Sequence, residues 1–318
     1  MPLSVDQTSS MPADRPGIPG GTRGHAWKSG ILVDDMESLQ KKLLAVVACL
    51  TALAVFMACA MYRAIYINPE NLAVTTLAWK NKSIPADMDD VSLVYFTDLE
   101  YGRYETAKRA QNVFDRIHAM NPRVLVFGGD LFEADVEITE DMKQQMIQWL
   151  SSIQAPLGKF AVLGEQDLTS PERLAQVQEI YNASQVEIID NSSRLICNRT
   201  AAGIRLVGIS PQEDWQAALQ GVQADQFTVL ISHYTDPFSS EALKAAGIDY
   251  ALGGNSHGTQ ISYPVFGGYR SWPGSETINR GETTSVEFPY YISTGTGCIK
   301  VNARLNATPE IVYILISA

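Results

Sequence analysis

Cysteine, histidine and positive charge are all scarce in this chain, and each scarcity closes off a class of function. The 318 residues include 4 cysteines and 4 histidines. Four cysteines are too few for the disulfide framework of a small secreted scaffold. Cys49 and Cys59 lie in an apolar run, which leaves Cys197 and Cys298, read as two buried free thiols in preference to a bridge. With 24 Lys and Arg against 35 Asp and Glu, the formal net charge is -11. Such a chain has little cationic surplus for neutralising a phosphate backbone, so nucleic acid is not an expected partner. The sequence also lacks a CxxC pair, a phosphate loop with Gly-Lys-Ser, a Ser-His-Asp arrangement and any internal repeat.

What is present begins with a long uncharged run. It opens on Leu43 and closes on Tyr62, about twenty residues and enough to span a bilayer as a helix. Residues 1–40 hold Pro, Gly, Ser and charges without a sustained period and read as a disordered tail. Residues 41–64 read as a transmembrane anchor, 65–90 as a connector with one strand over 72–79, and 91–318 as the functional domain. Ala58-Cys59-Ala60 has the small-residue look of a signal-peptide cleavage site. The long preceding tail and the length of the run favour an uncleaved anchor instead. Lys28, Lys41 and Lys42 precede the span and only Arg63 follows closely. That bias places the tail inside, making this a single-pass protein of the cell membrane with its large domain extracytoplasmic.

The domain opens on alternating strands and helices. Residues 91–97 form a continuous apolar strand of the kind buried on both faces. Helical spacing follows over 104–120, with Ala107, Ala110, Val113, Phe114 and Ile117 on one side. Strands at 123–127 and 159–163 alternate with helices at 141–153 and after Ser170, whose hydroxyl suits a cap ahead of Pro171. This β-α-β-α-β-α order predicts parallel strands. Beyond residue 185 strands dominate, at 186–189, 195–197, 204–209, 227–231, 290–293, 300–304 and 310–316, with short helices near Trp215 and Glu241. The fold expected is two packed sheets flanked by helices.

Five strand-end loops carry the chemistry. They are Asp98-Leu99-Glu100, Gly129-Asp130 with Glu133, Gly164-Glu165-Gln166-Asp167, Ser232-His233, and Gly253-Gly254-Asn255-Ser256-His257-Gly258. A lone histidine or aspartate after a strand is ordinary turn chemistry. Five such loops in series put oxygen and nitrogen donors on one rim, where α/β sheets collect ligands. Tyr101, Arg103, Arg270 and Trp272 could line a pocket but are read as solvated or packing residues. His118 is read as structural, and His25 lies in the tail.

In the order and spacing of these blocks the chain resembles the calcineurin-like metallophosphoesterases, especially their membrane-anchored bacterial members, from about Val91 to the C-terminus. The resemblance implies an α/β fold, a four-layer α/β/β/α sandwich, here preceded by a single transmembrane helix, with two metal ions at the rim. It implies Asp98 on the first metal, Asp130 bridging both, His233 on the second and His257 on the first. Several positions depart from the family pattern. It has His where this chain has Glu100, Asn at Glu165, His at Gln166, His at Asn255 and usually Asp at Glu133. The candidate ligands are then Asp98, Glu100, Asp130, Glu165, His233, Asn255 and His257. Gln166, in place of a phosphate-contacting His, and Asp167 are the candidate catalytic residues.

Four carboxylates instead of two would roughly neutralise two divalent ions before any substrate arrives. Oxygen donors in place of imidazoles favour Mn, Mg or Ca over Zn. One or two divalent ions are expected, with weaker hydrolysis than the family norm, because glutamine cannot transfer a proton near neutral pH. The reading is a membrane-anchored metal-dependent phosphoesterase, hydrolysing a phosphoester with a metal-activated water at an altered, oxygen-rich centre. Its substrate is a phosphoester, lipid-linked or from the envelope by analogy with anchored relatives. The alternative is a catalytically impaired or inactive relative that serves as an extracytoplasmic binding module.

Overall fold

Val91–Phe96 is buried along its whole length. Its two faces serve two cores. Leu93 and Tyr95 join one apolar cluster and Val94 and Phe96 another, as period-2 alternation requires. The computed structural model describes residues 24–211, 215–283 and 288–318. In chain order its main elements are α1 (Gly24–Tyr62), β1 (Ala73–Lys80), β2 (Val91–Phe96), α2 (Ala107–Met120), β3 (Val124–Phe127), α3 (Glu140–Ser152), β4 (Lys159–Ala161), α4 (Pro171–Ala183) and β5 (Glu187–Ile188). Then come β6 (Ser192–Cys197), β7 (Gly203–Ile209), α5 (Trp215–Leu219), β8 (Thr228–Ser232), α6 (Glu241–Lys244), β9 (Tyr250–Gly253), β10 (Ser262–Tyr263), β11 (Gly267–Gly268), β12 (Gly281–Thr283), β13 (Tyr290–Ile292) and β14 (Glu310–Ser317).

The first sheet has the order β1-β14-β2-β3-β4-β5 and the second β12-β13-β9-β8-β7-β6. Between them lies a core that joins Leu93, Tyr95 and Val126 from the first sheet to Leu206, Val229 and Ile231 from the second. On the outer face of the first sheet, Ala110, Phe114, Trp149 and Val177 of α2, α3 and α4 pack against Val94, Phe96 and Phe127. On the outer face of the second, Val207, Leu230 and Ala251 meet Ala218 of α5 and Leu243 of α6. The layers are therefore α/β/β/α, as expected. Thr106, Thr139 and Ser170 each accept a backbone N–H at the start of α2, α3 and α4, which satisfies donors the helix itself leaves open.

The sheets are mixed: β2 through β5 run parallel, but β14 inserts antiparallel to β2. The strand expected over 300–304 does not form. Lys300 has φ 62, and the Arg304 amide donates to Ala64 O at 2.8 Å instead of to a strand partner. Only Leu305 keeps a single bridge, to Ile261. The short hairpin of β10 and β11 and the strand β12 carry too few residues to show a period in sequence.

The N-terminal stretch up to Cys59 is a unit distinct from Ala60–Ala318. Its helix begins at Gly24, whereas the tail was expected to stay disordered through residue 40; residues 1–23 lie outside the described ones. Once an apolar helix is nucleated, adding residues to it is cheap, and Met36, Leu39, Gln40 and Lys41 are good helix formers. A Glu37–Lys41 pair at 3.8 Å spans one turn. Leu43, Leu44, Leu50, Leu53 and Phe56 are all more than half exposed. A helix apolar all round is not the amphipathic kind that packs on a soluble core. Among the described residues, Asp35–Glu70 is the stretch long and apolar enough to cross a membrane.

Candidate metal centre

The rim at the carboxyl ends of β2, β3, β4, β8 and β9 gathers every candidate ligand named from the sequence. Five of them, Asp98, Glu100, Asp130, Asn255 and His257, have φ between 49 and 63. A non-glycine residue in that left-handed region costs of order 1 kcal/mol, and such strain clusters at functional loops. Two glycines make room. Gly129 sits at φ 102, and a side chain on Gly164 would run into the Asp130 carboxylate.

Six ionisable side chains converge. His233 Nε2 lies 2.8 Å from Glu165, 3.2 Å from Asp130 and 4.0 Å from Asp98. His257 Nε2 lies 3.5 Å from both Asp98 and Glu100. Asp98, Glu100, Asp130, His233 and His257 are essentially buried, and Glu165 reaches in from the edge with its side chain 37% exposed. Two groups could each surround one ion: Asp98, Glu100 and His257, and Asp98, Asp130 and His233. Asp98 is common to both, where the resemblance implied Asp130 as the bridge. Both Asp130 oxygens are instead engaged by Gln166, one by its backbone N–H and one by its side-chain amide, each at 2.9 Å.

The electrostatics follow from crowding carboxylates out of water. Burial pushes Asp98 up to about 7, with His233 opposing and Asp130 and Glu165 adding to the rise. Burial, then the neighbouring Asp130, Asp98 and Glu165 charges, hold Glu100 well above the usual carboxylate range. Asp130 is raised by burial and by Glu165. For His233 burial pulls downward, but the Asp130 and Glu165 carboxylates outweigh it and hold the imidazole well above its usual value. His257 goes the other way, lowered by burial, by Arg304 and by His233. Each imidazole turns its Nδ1 to the protein: His233 to Gly128 O at 2.7 Å, His257 to the Arg304 guanidinium at 3.4 Å.

Whether these residues suit a cation can be judged from their leftover valences. His233 Nε2, His257 Nε2, Glu100 Oε2 and Glu165 Oε2 are buried atoms without a hydrogen-bond partner. Buried polar atoms are rarely left so. The 2.8 Å approach of His233 Nε2 to Glu165 is an ion pair when the imidazole is protonated. Four carboxylates with two imidazoles form a hard, oxygen-rich donor set. The residues fit a divalent cation.

The other candidates divide. Gln166 is buried and central: its amide donates to Glu100 and Asp130, while its Oε1 accepts the Ala134 N–H at 2.6 Å. Asn255 donates its backbone N–H to Asp98 at 2.9 Å, and its Nδ2 is held by Pro273 O and Ser275 Oγ. That leaves only Oδ1 as a donor atom for an ion. Asp167 accepts the N–H groups of Asp130, Leu131 and Gly164 at 2.9 to 3.0 Å. Both its oxygens are used in holding these loops together. Glu133 lines a cleft of 220 Å³ beside the cluster, together with Glu165, Gln166, Trp272 and Lys300.

Tyr101 belongs to the core and donates to Gln145 at 2.7 Å. Arg270 stacks over the Trp272 ring at 4.5 Å, and Trp272 packs near His257. His118 meets Ser152 O at 3.2 Å. Both cysteines outside α1 are free, Cys298 buried and Cys197 half-buried. The residue that sequence reasoning missed is Arg304. It is fully buried, and its guanidinium donates to the carbonyls of His257, Thr294, Gly295, Gly297 and Ala307. Nothing in sequence marks it, since a lone Arg in a loop reads as solvated.

No family model matches the chain. Curated relatives do. A metallophosphoesterase of Bacillus subtilis, YkuE, described as uncharacterized, is 24% identical over 252 residues, 77% of this chain and 86% of its own length. A Bos taurus transmembrane protein with metallophosphoesterase domain is 23% identical over 313 residues, covering 92% of this chain and 67% of that protein. These likenesses support the calcineurin-like metallophosphoesterases as the family the chain resembles. The UDP-2,3-diacylglucosamine pyrophosphatase LpxG of Chlamydia trachomatis serovar D is 24% identical over 271 residues, covering 70% of this chain and 78% of its own. The metallophosphoesterases it resembles are hydrolases of phosphoester bonds that use divalent metals.

Proposed function

We propose that this chain is a membrane-anchored phosphoesterase whose divalent cation is held by Asp98, Glu100, Asp130, Glu165, His233, His257 and the amide oxygen of Asn255. The observation that carries the reading is the convergence of four carboxylates on two imidazole Nε2 atoms that lack hydrogen-bond partners. When bound, such a cation supplies Lewis-acid activation of a water and of a phosphoryl oxygen. The protein's own groups set the rest. Burial and Arg304 depress His257 and keep it neutral; to coordinate through Nε2 it would take the tautomer with its proton on Nδ1, donated to the backbone of Gly297. Gln166 can donate hydrogen bonds near the reacting group but holds no transferable proton near neutral pH. Lys300, 3.5 Å from Asp135, is the cation lining the adjoining cleft, which Glu133 and Glu165 line as well.

The chemistry of the donors favours Mn, Mg or Ca over Zn. The substrate is read as a lipid-linked or envelope phosphoester. Support comes from the apolar helix and from the likeness to a protein named as a pyrophosphatase of a diacylated nucleotide sugar. The helix is read as an uncleaved anchor, with the large domain extracytoplasmic.

A second reading has its own observation. The Gln166 amide is turned inward onto Glu100 and Asp130, which suits a site that holds a cation without turning over. The test is metal content of the purified full-length protein by mass spectrometry, with hydrolysis of bis-p-nitrophenyl phosphate in Mn-containing buffer. Stoichiometric metal with measurable turnover supports the enzyme. Metal without turnover supports the binding module, and absence of both sinks the metal-centre reading.

A further inference from the structure

The hairpin of β10 and β11 displays apolar side chains that the domain itself leaves uncovered. Val265 is 99% and Phe266 88% exposed, flanked by the partly exposed rings of Tyr263 and Tyr269. Val265 is held at φ 74, a conformation a β-branched residue seldom adopts. A soluble surface gains nothing from presenting two neighbouring large apolar residues at a loop tip.

The root of this hairpin is tied, through residues 304–306, to Ala64 and Asn68 of the same unit. Ser262 donates its N–H to Leu305 O at 2.9 Å, and Asn306 Nδ2 donates to Ser262 O at 2.8 Å. One residue earlier, the Arg304 N–H donates to Ala64 O and Arg304 O accepts Asn68 Nδ2, both at 2.8 Å. Residues 304–306 thus hold the hairpin on one side and the segment just after the helix on the other. That segment carries the exposed rings of Tyr62 and Tyr66. Tyrosines at the end of an apolar span mark the level of the bilayer interface. The hairpin repeats the pattern, with two tyrosines around an apolar tip. Arg280, exposed, donates to Ser262 Oγ at 2.7 Å and Asn306 O at 2.8 Å and so stands at the hairpin root; Arg63, next to Tyr62, and Arg270, next to Tyr269, are exposed too, and such cations suit anionic headgroups.

We infer that the 263–269 hairpin is a second membrane contact, with Val265 and Phe266 seated in the interface of the bilayer that the N-terminal helix crosses. The inference rests on reading that helix as an anchor. With two contacts the domain is held at one height and tilt, and a phosphoester carried on a lipid is presented to it at a set depth.

The test uses the full-length chain in phosphatidylcholine–phosphatidylglycerol vesicles, with Phe266→Trp compared with the parent and its five tryptophans. Replacing the phosphatidylcholine with its acyl-brominated form should quench at least half of the emission the added tryptophan contributes, more with bromines near the headgroup than near the chain end. Adding Val265→Asp should reduce that quenching severalfold. The inference is overturned if the added emission is no more quenched than the parent's. It is equally overturned by blue-shifted emission that bromolipid leaves untouched, which would mean a second copy of the chain covers the tip. A chain that does not float with the vesicles at all loses the anchor and the hairpin contact together. A chain that floats but is not quenched loses only the hairpin.

Discussion

Arg304 and Glu105 show how single buried charges shape this protein outside its carboxylate cluster. The Arg304 guanidinium is spent on carbonyls of two loops, one carrying His257 and the other running from Thr294 to Gly297. It also lowers His257 by its charge. Glu105, at the foot of α2, is 2% exposed. Burial pushes its carboxyl up to about 8, against the attraction of Arg109 and Arg304. A carboxyl raised in the folded state gives stability that is fully present below its unfolded value and lost as pH climbs through the folded one. Glu105 therefore weakens the fold progressively between about pH 4.5 and pH 8. Glu105→Gln should raise the melting temperature at pH 9 and leave it nearly unchanged at pH 4, read by scanning calorimetry. Equal melting curves at pH 9 would mean the carboxyl is solvated.

At the scale of elements, the strands and caps were legible because their signals are local. Ser170 before Pro171 announced α4, and its hydroxyl does accept the Arg173 N–H at 3.2 Å. The cap matters beyond its helix. The Arg173 guanidinium donates to Phe132 O, Glu133 O and Val136 O, so the first turn of α4 holds the loop that carries Glu133. Ser170→Ala should cost about 1 kcal/mol, measured by chemical denaturation. A change within error would show that water replaces the cap. The five donor loops were equally legible, since each follows an apolar strand. What could not be read was which way a loop residue turns. Asp167 stands one position from Gln166, yet it serves three backbone amides while Gln166 faces the cluster. Residues 300–304 were expected to form a strand but are bent by Lys300 and tied down by Arg304. Both outcomes depend on contacts from distant parts of the chain, which no local pattern records.

At the scale of the whole molecule, the question is what limits hydrolysis in a scaffold that keeps its strands, its glycines and its left-handed ligand loops. Four carboxylates beside two imidazoles would leave a bound pair of divalent ions nearly neutral. A neutralised centre attracts a phosphate less and acidifies a water less. Gln166 removes a proton donor at the same time. On the proposed reading both effects would lie in side chains, not in the fold, so both could be reversed. Glu165→Asn, Gln166→His and Asn255→His together should raise hydrolysis of a generic phosphodiester in Mn-containing buffer, and Glu100→His should raise it further. General acid catalysis is worth a factor of roughly 10² to 10⁴, so the gain should stand well clear of assay error. The order of effects separates the two causes: Gln166→His alone tests the missing proton, and Glu165→Asn alone tests the surplus charge. If the restored protein folds and binds metal yet stays inert, the deficit lies in the substrate cleft beside Trp272 and Lys300. If the unmodified protein already turns over as fast as the restored one, the oxygen-rich centre is competent as it stands, and excess carboxylate charge does not limit it.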